Sequence, residues 1–373
     1  MIYIFVYLVS MIFAYFAERS KDKGVIILCS IISILAPSIL GGLRAHGMGI
    51  DTVTYGLPHA LRALASPSLA DFISNNRSEP GYEFVCYMAM KTFGHVNWCY
   101  FFYQLITMSG VYIGAYKHRK IAHVPLTLLM FFLFYYQFIY SAMRQGMAVA
   151  IIFMGIDTLE KKHYGKFLLY VFTAAMFHYS AVITIALFMI LYFIATSEYI
   201  NHRKYMQFII ILSGISVIIF IRYFMTLAIS MLPVLAKYQH YVDEEQYTQR
   251  VTNTSMLLLF CGEILMLLFY GKKASKLFTG SKREYSDFNI NFYTLNIIFL
   301  MTYRTFIKIH SGRILFYSEL ANLIVLSALS NFVKEKHLRV MVTIAVIAVA
   351  SIFFVRKFIF IGFYRTWPYR SIL

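Results

Sequence analysis

The sequence predicts an all-α, polytopic integral membrane protein with about twelve transmembrane helices. Three observations carry that prediction. The 373 residues are 60% hydrophobic, with a mean hydropathy of +0.66, more apolar surface than a soluble domain of this length can hide. Stretches such as Val25–Leu43, Leu126–Ile139, Phe208–Ile221 and Val340–Val355 carry no charge and are long enough to be bilayer helices. Between such stretches lie short polar links whose basic residues follow an alternating pattern.

Taken in order, the apolar segments are 1–17, 25–43, 97–116, 124–140, 146–159, 167–177, 180–195, 207–231, 254–270, 288–303, 314–330 and 340–356. The first begins without a basic n-region and ends without a small-residue cleavage site, so it is expected to be a membrane helix and not a removed signal peptide. The whole of 1–373 is expected to form a single transmembrane domain. The loops at 18–24, 117–123, 160–166, 196–206, 271–287 and 331–339 hold 19 of the 34 basic residues, 14 of them lysine. Lysine-rich short loops stay cytoplasmic during insertion, so both termini are expected outside. The other 15 basic residues are 11 arginines and 4 lysines, and an outer arginine excess needs a reason other than insertion. Planar, bidentate recognition of phosphate is one.

Two outer loops are long. Residues 44–96 contain a Gly-rich turn and two amphipathic stretches, His59–Phe72 and Pro80–Phe93, expected as interfacial helices. Residues 232–253 are polar and tyrosine-rich. The net charge of +17 does not point to nucleic acid, because its clusters flank hydrophobic segments and lack aromatic interleaving on a polar surface. The four cysteines show no metal-ligand spacing. Cys86 and Cys99 lie near the outer face, and the expectation for them is free thiols, with a disulfide between them as the alternative.

Five short constellations carry chemistry. Arg44, His46, Gly49, Asp51 and Tyr55 follow a helix end, where glycines let backbone approach a ligand; an ordinary turn with a local ion pair is the plain alternative. Glu79 stands directly before Pro80, so it suits a helix N-cap as well as a general base or a binder of sugar hydroxyls. Arg144-Gln145 joins two apolar helices almost without a loop, and arginine at such a place faces a cavity or a partner more often than lipid. His178 sits where two short helices meet, a reversal tolerated only inside protein or beside water, and its ordinary pKa of about 6.5 suits proton transfer. Arg304, Lys308, His310 and Arg313 crowd one short outer link. Tyr364–Arg370 reads as an interfacial aromatic anchor.

The order of these motifs resembles the EpsG family of Wzy-like polysaccharide polymerases: Arg44/Gly49/Asp51/Tyr55, Glu79-Pro80-Gly81-Tyr82, Arg144-Gln145, Phe177-His178-Tyr179-Ser180, Gly312-Arg313 and Pro368-Tyr369. One residue more separates Arg44 from Gly49 than in the family pattern. The resemblance implies a GT-C-like glycosyltransferase in the bacterial cytoplasmic membrane. It would join undecaprenyl-diphosphate-linked oligosaccharide repeat units on the outer face, for O-antigen, capsule or exopolysaccharide. It implies no cofactor and no metal, a lipid-linked donor and acceptor, and a chain-length regulator and a flippase as neighbours. Within that chemistry, Arg44, Arg144, Arg304 and Arg313 are expected to bind diphosphate. His178 or Glu79 is expected to act as base, with Asp51 as a positioner, and Tyr55, Tyr82 and Gln145 to bind substrate. A lipid-linked oligosaccharide flippase, an O-antigen ligase and a membrane acyltransferase are the competing classes. A flippase would place its charges nearer the bilayer midplane, and the acyltransferase histidine motif is not evident.

Overall fold

The computed structural model describes residues 1–76, 78–196, 230, 262–263, 290–306 and 315–372; of 186, 290–291 and 301–306 it describes the backbone alone. The described residues are helical, without a named strand, and divide into two compact units: Met1–Met189 with Leu323–Leu373, and Ile190–Asn322. The predicted helices 207–231 and 254–270 and the loop 232–253 lie outside the described residues, apart from the isolated positions named above.

In the first unit, α1 (Ile2–Arg19) and α2 (Lys23–Gly42) form a hairpin. The outer loop that follows holds a π-helical turn, Thr52–Gly56, then α3 (Leu57–Ala65), α4 (Leu69–Asn76) and α5 (Pro80–Phe93). The helix predicted at Pro80–Phe93 forms over those residues because Pro80 pre-sets the first turn and Gly94 closes the last one at φ +70°, the asymmetry expected of helix ends. Next come α6 (Val96–Lys117), α7 (Val124–Phe134), α8 (Tyr136–Ser141), α9 (Met143–Glu160) and α10 (Tyr164–Ala175). A single helix over 124–140 is not what forms. Tyr135 leaves helical geometry at φ −126°, ψ −24°, which turns the polar groups of α8 inward: Tyr136 donates to the Pro37 carbonyl at 2.5 Å and Gln137 to the Tyr7 hydroxyl at 3.1 Å.

The segment predicted at 180–195 is also subdivided. A 3-10 turn at Tyr179–Val182 and a π-helical turn at Ile185–Met189 precede α11 (Ile190–Thr196), which belongs to the second unit with α12 (Ile290–Phe306) and the first part of α13 (Leu315–Ala328). There Tyr192 meets Phe292 at 6.0 Å and Asn296 donates to the Ser318 carbonyl at 3.0 Å. The first unit ends with α14 (Lys336–Phe354), a π-helical turn to Phe360, and a strap at 363–372.

Among the described residues, five stretches are long and apolar enough to cross a membrane: Ile2–Arg19, Lys23–Gly42, Tyr179–Thr196, Leu315–Phe332 and Lys336–Phe360. Several present bare apolar faces, with Phe5 at 64%, Met341 at 62% and Ile352 at 61% exposure. Water does not tolerate such faces over whole helices and lipid does, so the chain is a multi-spanning membrane protein.

The two ends of the first unit differ in chemistry. At one end Lys117 pairs with Asp157 at 2.8 Å, His118 with Glu160 at 3.0 Å and His123 with Glu18 at 2.8 Å. These contacts hold the loops that the lysine pattern assigns to the cytoplasm. At the opposite ends of α2, α6, α9 and α10 lie the Gly-rich turn, Arg144 and His178.

Candidate functional site

Three of the sequence constellations meet at one carboxylate. Glu79 precedes α5 with extended backbone (φ −74°, ψ 128°), yet its side chain makes no capping bond to the helix. One oxygen instead accepts from Arg144 Nη1 at 2.7 Å, and the other lies 2.9 Å from His178 Nδ1. A carboxylate only accepts, so Nδ1 carries the proton and donates it. Among the described residues Nε2 of His178 has no hydrogen-bond partner, and 27% of the side chain is exposed. Arg144 Nη1 also donates to Ser78 Oγ at 2.9 Å, and its guanidinium stands 5.6 Å from the Tyr82 ring centre. Asp51 adds to the negative field at Arg144.

The approach of α5 to the turn after α10 sets this geometry. Gly81 N donates to the Met176 carbonyl at 2.8 Å, and a Cβ at Gly81 would stand 2.9 Å from that same oxygen. Gly81→Ala is therefore expected to push α5 off the turn, separate Glu79 from His178, and cost about 1–3 kcal/mol of overpacking. Thermal unfolding in detergent, beside glycan length in cells, checks this.

The electrostatics favour an ionised Glu79. Burial alone would raise its pKa; the hydrogen bond from His178 and the charge of Arg144 outweigh burial and hold it at about 2, against an ordinary 4.5. A depressed carboxylate stabilises the fold above its unfolded pKa, and that contribution disappears as pH falls from about 4.5 towards about 2. The shift corresponds to about 3 kcal/mol. Acid titration of the wild type is expected to lose this increment in that window, and Glu79→Gln to show no such loss; unfolding followed against pH makes the comparison.

Arg44 lies elsewhere than a phosphate ligand would. It is 1% exposed and enclosed between the rings of Tyr100 and Tyr140, at 4.4 and 4.5 Å, and its Nη2 donates to Met143 Sδ at 3.0 Å. Burial pushes the guanidinium below its ordinary pKa, and the surrounding tyrosines draw it back. It touches the residue before Arg144, which fits a positioning role better than contact with a ligand. The neighbouring glycines likewise bring backbone against protein: Gly49, at φ +90°, has no room for a Cβ, which would lie 2.6 Å from the Tyr140 carbonyl. Arg44→Ala is expected to destabilise the protein by about 3 kcal/mol through two lost cation–π contacts and a cavity, measured as a lower unfolding temperature.

The C-terminal strap reinforces this region and does not stand out as a free anchor. Ala45 N donates to the Arg370 carbonyl at 2.8 Å, Ile372 N to the Leu43 carbonyl at 3.0 Å, and Trp367 stacks on Tyr3 at 5.7 Å. Arg365 and Arg370 remain exposed.

Of the expected substrate-binding residues, Tyr82 and Gln145 are buried at 3% and Tyr55 is 55% exposed. Tyr82 stacks between His59 and Tyr103, at 5.0 and 4.9 Å, as part of the packing beneath Arg144. Arg304 lies on α12 with its side chain outside the description, and Arg313 lies outside the described residues. Sequence reasoning missed three contributors. Ser78 receives a bond from Arg144; Met143 receives one from Arg44; and His59 lies 3.0 Å from the fully buried Glu83, pinning α3 to α5. Ser78 was the findable one, since it abuts Glu79. Among the described residues, no three His, Cys, Asp or Glu side chains gather as a metal cluster would.

The arrangement can do two things: hold an imidazole in one tautomer with a free nitrogen, and present a guanidinium beside it. No curated protein and no solved structure matches the chain. The EpsG family model matches residues 27–371, nearly the whole chain and every constellation described above. The chain belongs to the EpsG family, a Wzy-like polymerase family of the glycosyltransferase type.

Proposed function

We propose that the chain polymerises lipid-diphosphate-linked oligosaccharide repeat units on the outer face of the bacterial cytoplasmic membrane, with Glu79, Arg144 and His178 as the reaction centre. The observation that carries the reading is the single carboxylate bridging Arg144 and His178, at 2.7 and 2.9 Å. In the reaction, a sugar hydroxyl of the incoming unit attacks the anomeric carbon of the growing chain. The bond from that carbon to the lipid diphosphate breaks, and the diphosphate departs with the electron pair. The hydroxyl proton passes to Nε2 of His178. Glu79 keeps the imidazole in the productive tautomer and stabilises the imidazolium, as a buried carboxylate does for a catalytic histidine. Glu79 is then a positioning residue, and His178 is the base.

Arg144, 35% exposed at its side chain, faces the charge that develops on the leaving diphosphate. Asp51 tunes that cation, and Arg44 holds the helix start from behind. Arg304 and Arg313 are proposed as further phosphate ligands on the strength of the sequence alone. The natural carriers are undecaprenyl-diphosphate glycans, and a flippase and a chain-length regulator would work beside the enzyme. A flippase reading is less favoured, because the described site gathers at one end of its helices.

Loss of the gene separates the two. A polymerase leaves single repeat units displayed outside. A flippase leaves lipid-linked units accumulated in the cytoplasm, and that result would overturn the proposal.

A further inference from the structure

We propose that Cys86 and Cys99 are joined by a disulfide in the mature protein, stapling α5, whose first turn follows Glu79, to α6. The proposal rests on the reading that this end of the unit faces the exterior. In the structure both residues are thiols, with their sulfurs 3.9 Å apart and the side chains at 0% and 1% exposure. Cys99 Sγ also lies 3.7 Å from the Cys86 carbonyl. The two helices are antiparallel neighbours that turn at Gly94, so a 13-residue separation brings the sulfurs side by side. A disulfide needs about 2.05 Å between sulfurs, so the two thiols must approach from the 3.9 Å seen here. The remaining cysteines, Cys29 and Cys261, lie in apolar segments far from this pair in sequence.

The chemistry balances with an exocytoplasmic thiol oxidant, a protein carrying a reactive disulfide. The two thiols give up two protons and two electrons, one S–S bond forms here, and the oxidant's S–S bond is reduced to two thiols. Such oxidants serve compartments outside the cytoplasm. The finished site is covered by Tyr82 and Tyr103, so the bond forms while the hairpin assembles. Once formed, it is shielded from reductant until the chain unfolds.

The test counts thiols. Full-length protein in membranes is acid-quenched, denatured in detergent and treated with a polyethylene-glycol maleimide, with and without prior reductant. The chain has four cysteines. The wild type is expected to take two adducts unreduced and four reduced, and Cys86→Ser and Cys99→Ser to take three under both conditions. Four adducts on the unreduced wild type would overturn the disulfide. A separate Asn75→Cys protein, substituted at an exposed position of the same outer loop, is labelled in intact cells with a membrane-impermeant maleimide. Labelling is expected. Its absence would overturn the outward placement and the disulfide with it. Labelling together with four unreduced thiols would remove the disulfide alone and leave the polymerase reading to the glycan measurements.

Discussion

Glu79→Gln, in protein that inserts at normal levels, reduces the surface polysaccharide to single repeat units. The amide keeps the shape of the carboxylate and removes its charge. It cannot accept from both Arg144 Nη1 and His178 Nδ1, which the carboxylate does at 2.7 and 2.9 Å. One partner turns away, and the imidazole loses the restraint that keeps Nε2 as the acceptor. Losing that orientation and the stabilisation of imidazolium costs on the order of 10³-fold in rate. Arg144, one-third exposed, keeps access to water, so the protein folds with a smaller penalty than a fully buried orphan charge would bring. Glycan ladders on gels, normalised to protein level in membranes, read the effect. A full ladder would remove Glu79 from the mechanism.

Arg144→Lys is expected to lower polymerisation about 10²–10³-fold, although the charge is kept. Lysine is a point charge on a flexible stem. Its one nitrogen can donate to Ser78 and Glu79, but it has no second nitrogen and no planar fork to offer a diphosphate, as the guanidinium has. The same reasoning predicts non-additivity: Glu79→Gln combined with Arg144→Lys is no slower than the worse single variant, because the two side chains act as one unit. Turnover of a synthetic lipid-diphosphate glycan in proteoliposomes measures this. Additive losses would mean that the two residues act separately.

The legibility of the molecule in its sequence follows from where the deciding interactions lie. Helix α5 was legible to the residue because its punctuation, Pro80 and Gly94, is local. The grouping of Glu79, Arg144 and His178 at one end of the unit was legible through the lysine pattern, since loop charge assigns each helix end a side. Their pairing was not, because it depends on the contact between Gly81 and the Met176 carbonyl, across nearly a hundred residues of chain. The same limit applied to Arg44. An arginine after a helix end looks like a phosphate ligand until Tyr100 and Tyr140, both distant in sequence, close over it. The break at Tyr135 was hidden for a related reason: apolar composition runs unbroken through it, and only the tyrosine and glutamine hydrogen bonds of α8 show why the helix turns. Arg304 and Arg313 still stand on sequence alone as phosphate ligands.

His178→Ala tests the central claim most directly, because His178 is the one group to which the mechanism assigns a bond-making proton. With the variant present in membranes at wild-type levels, the account predicts single repeat units on the cell surface and no ladder. A wild-type ladder from that variant would contradict it.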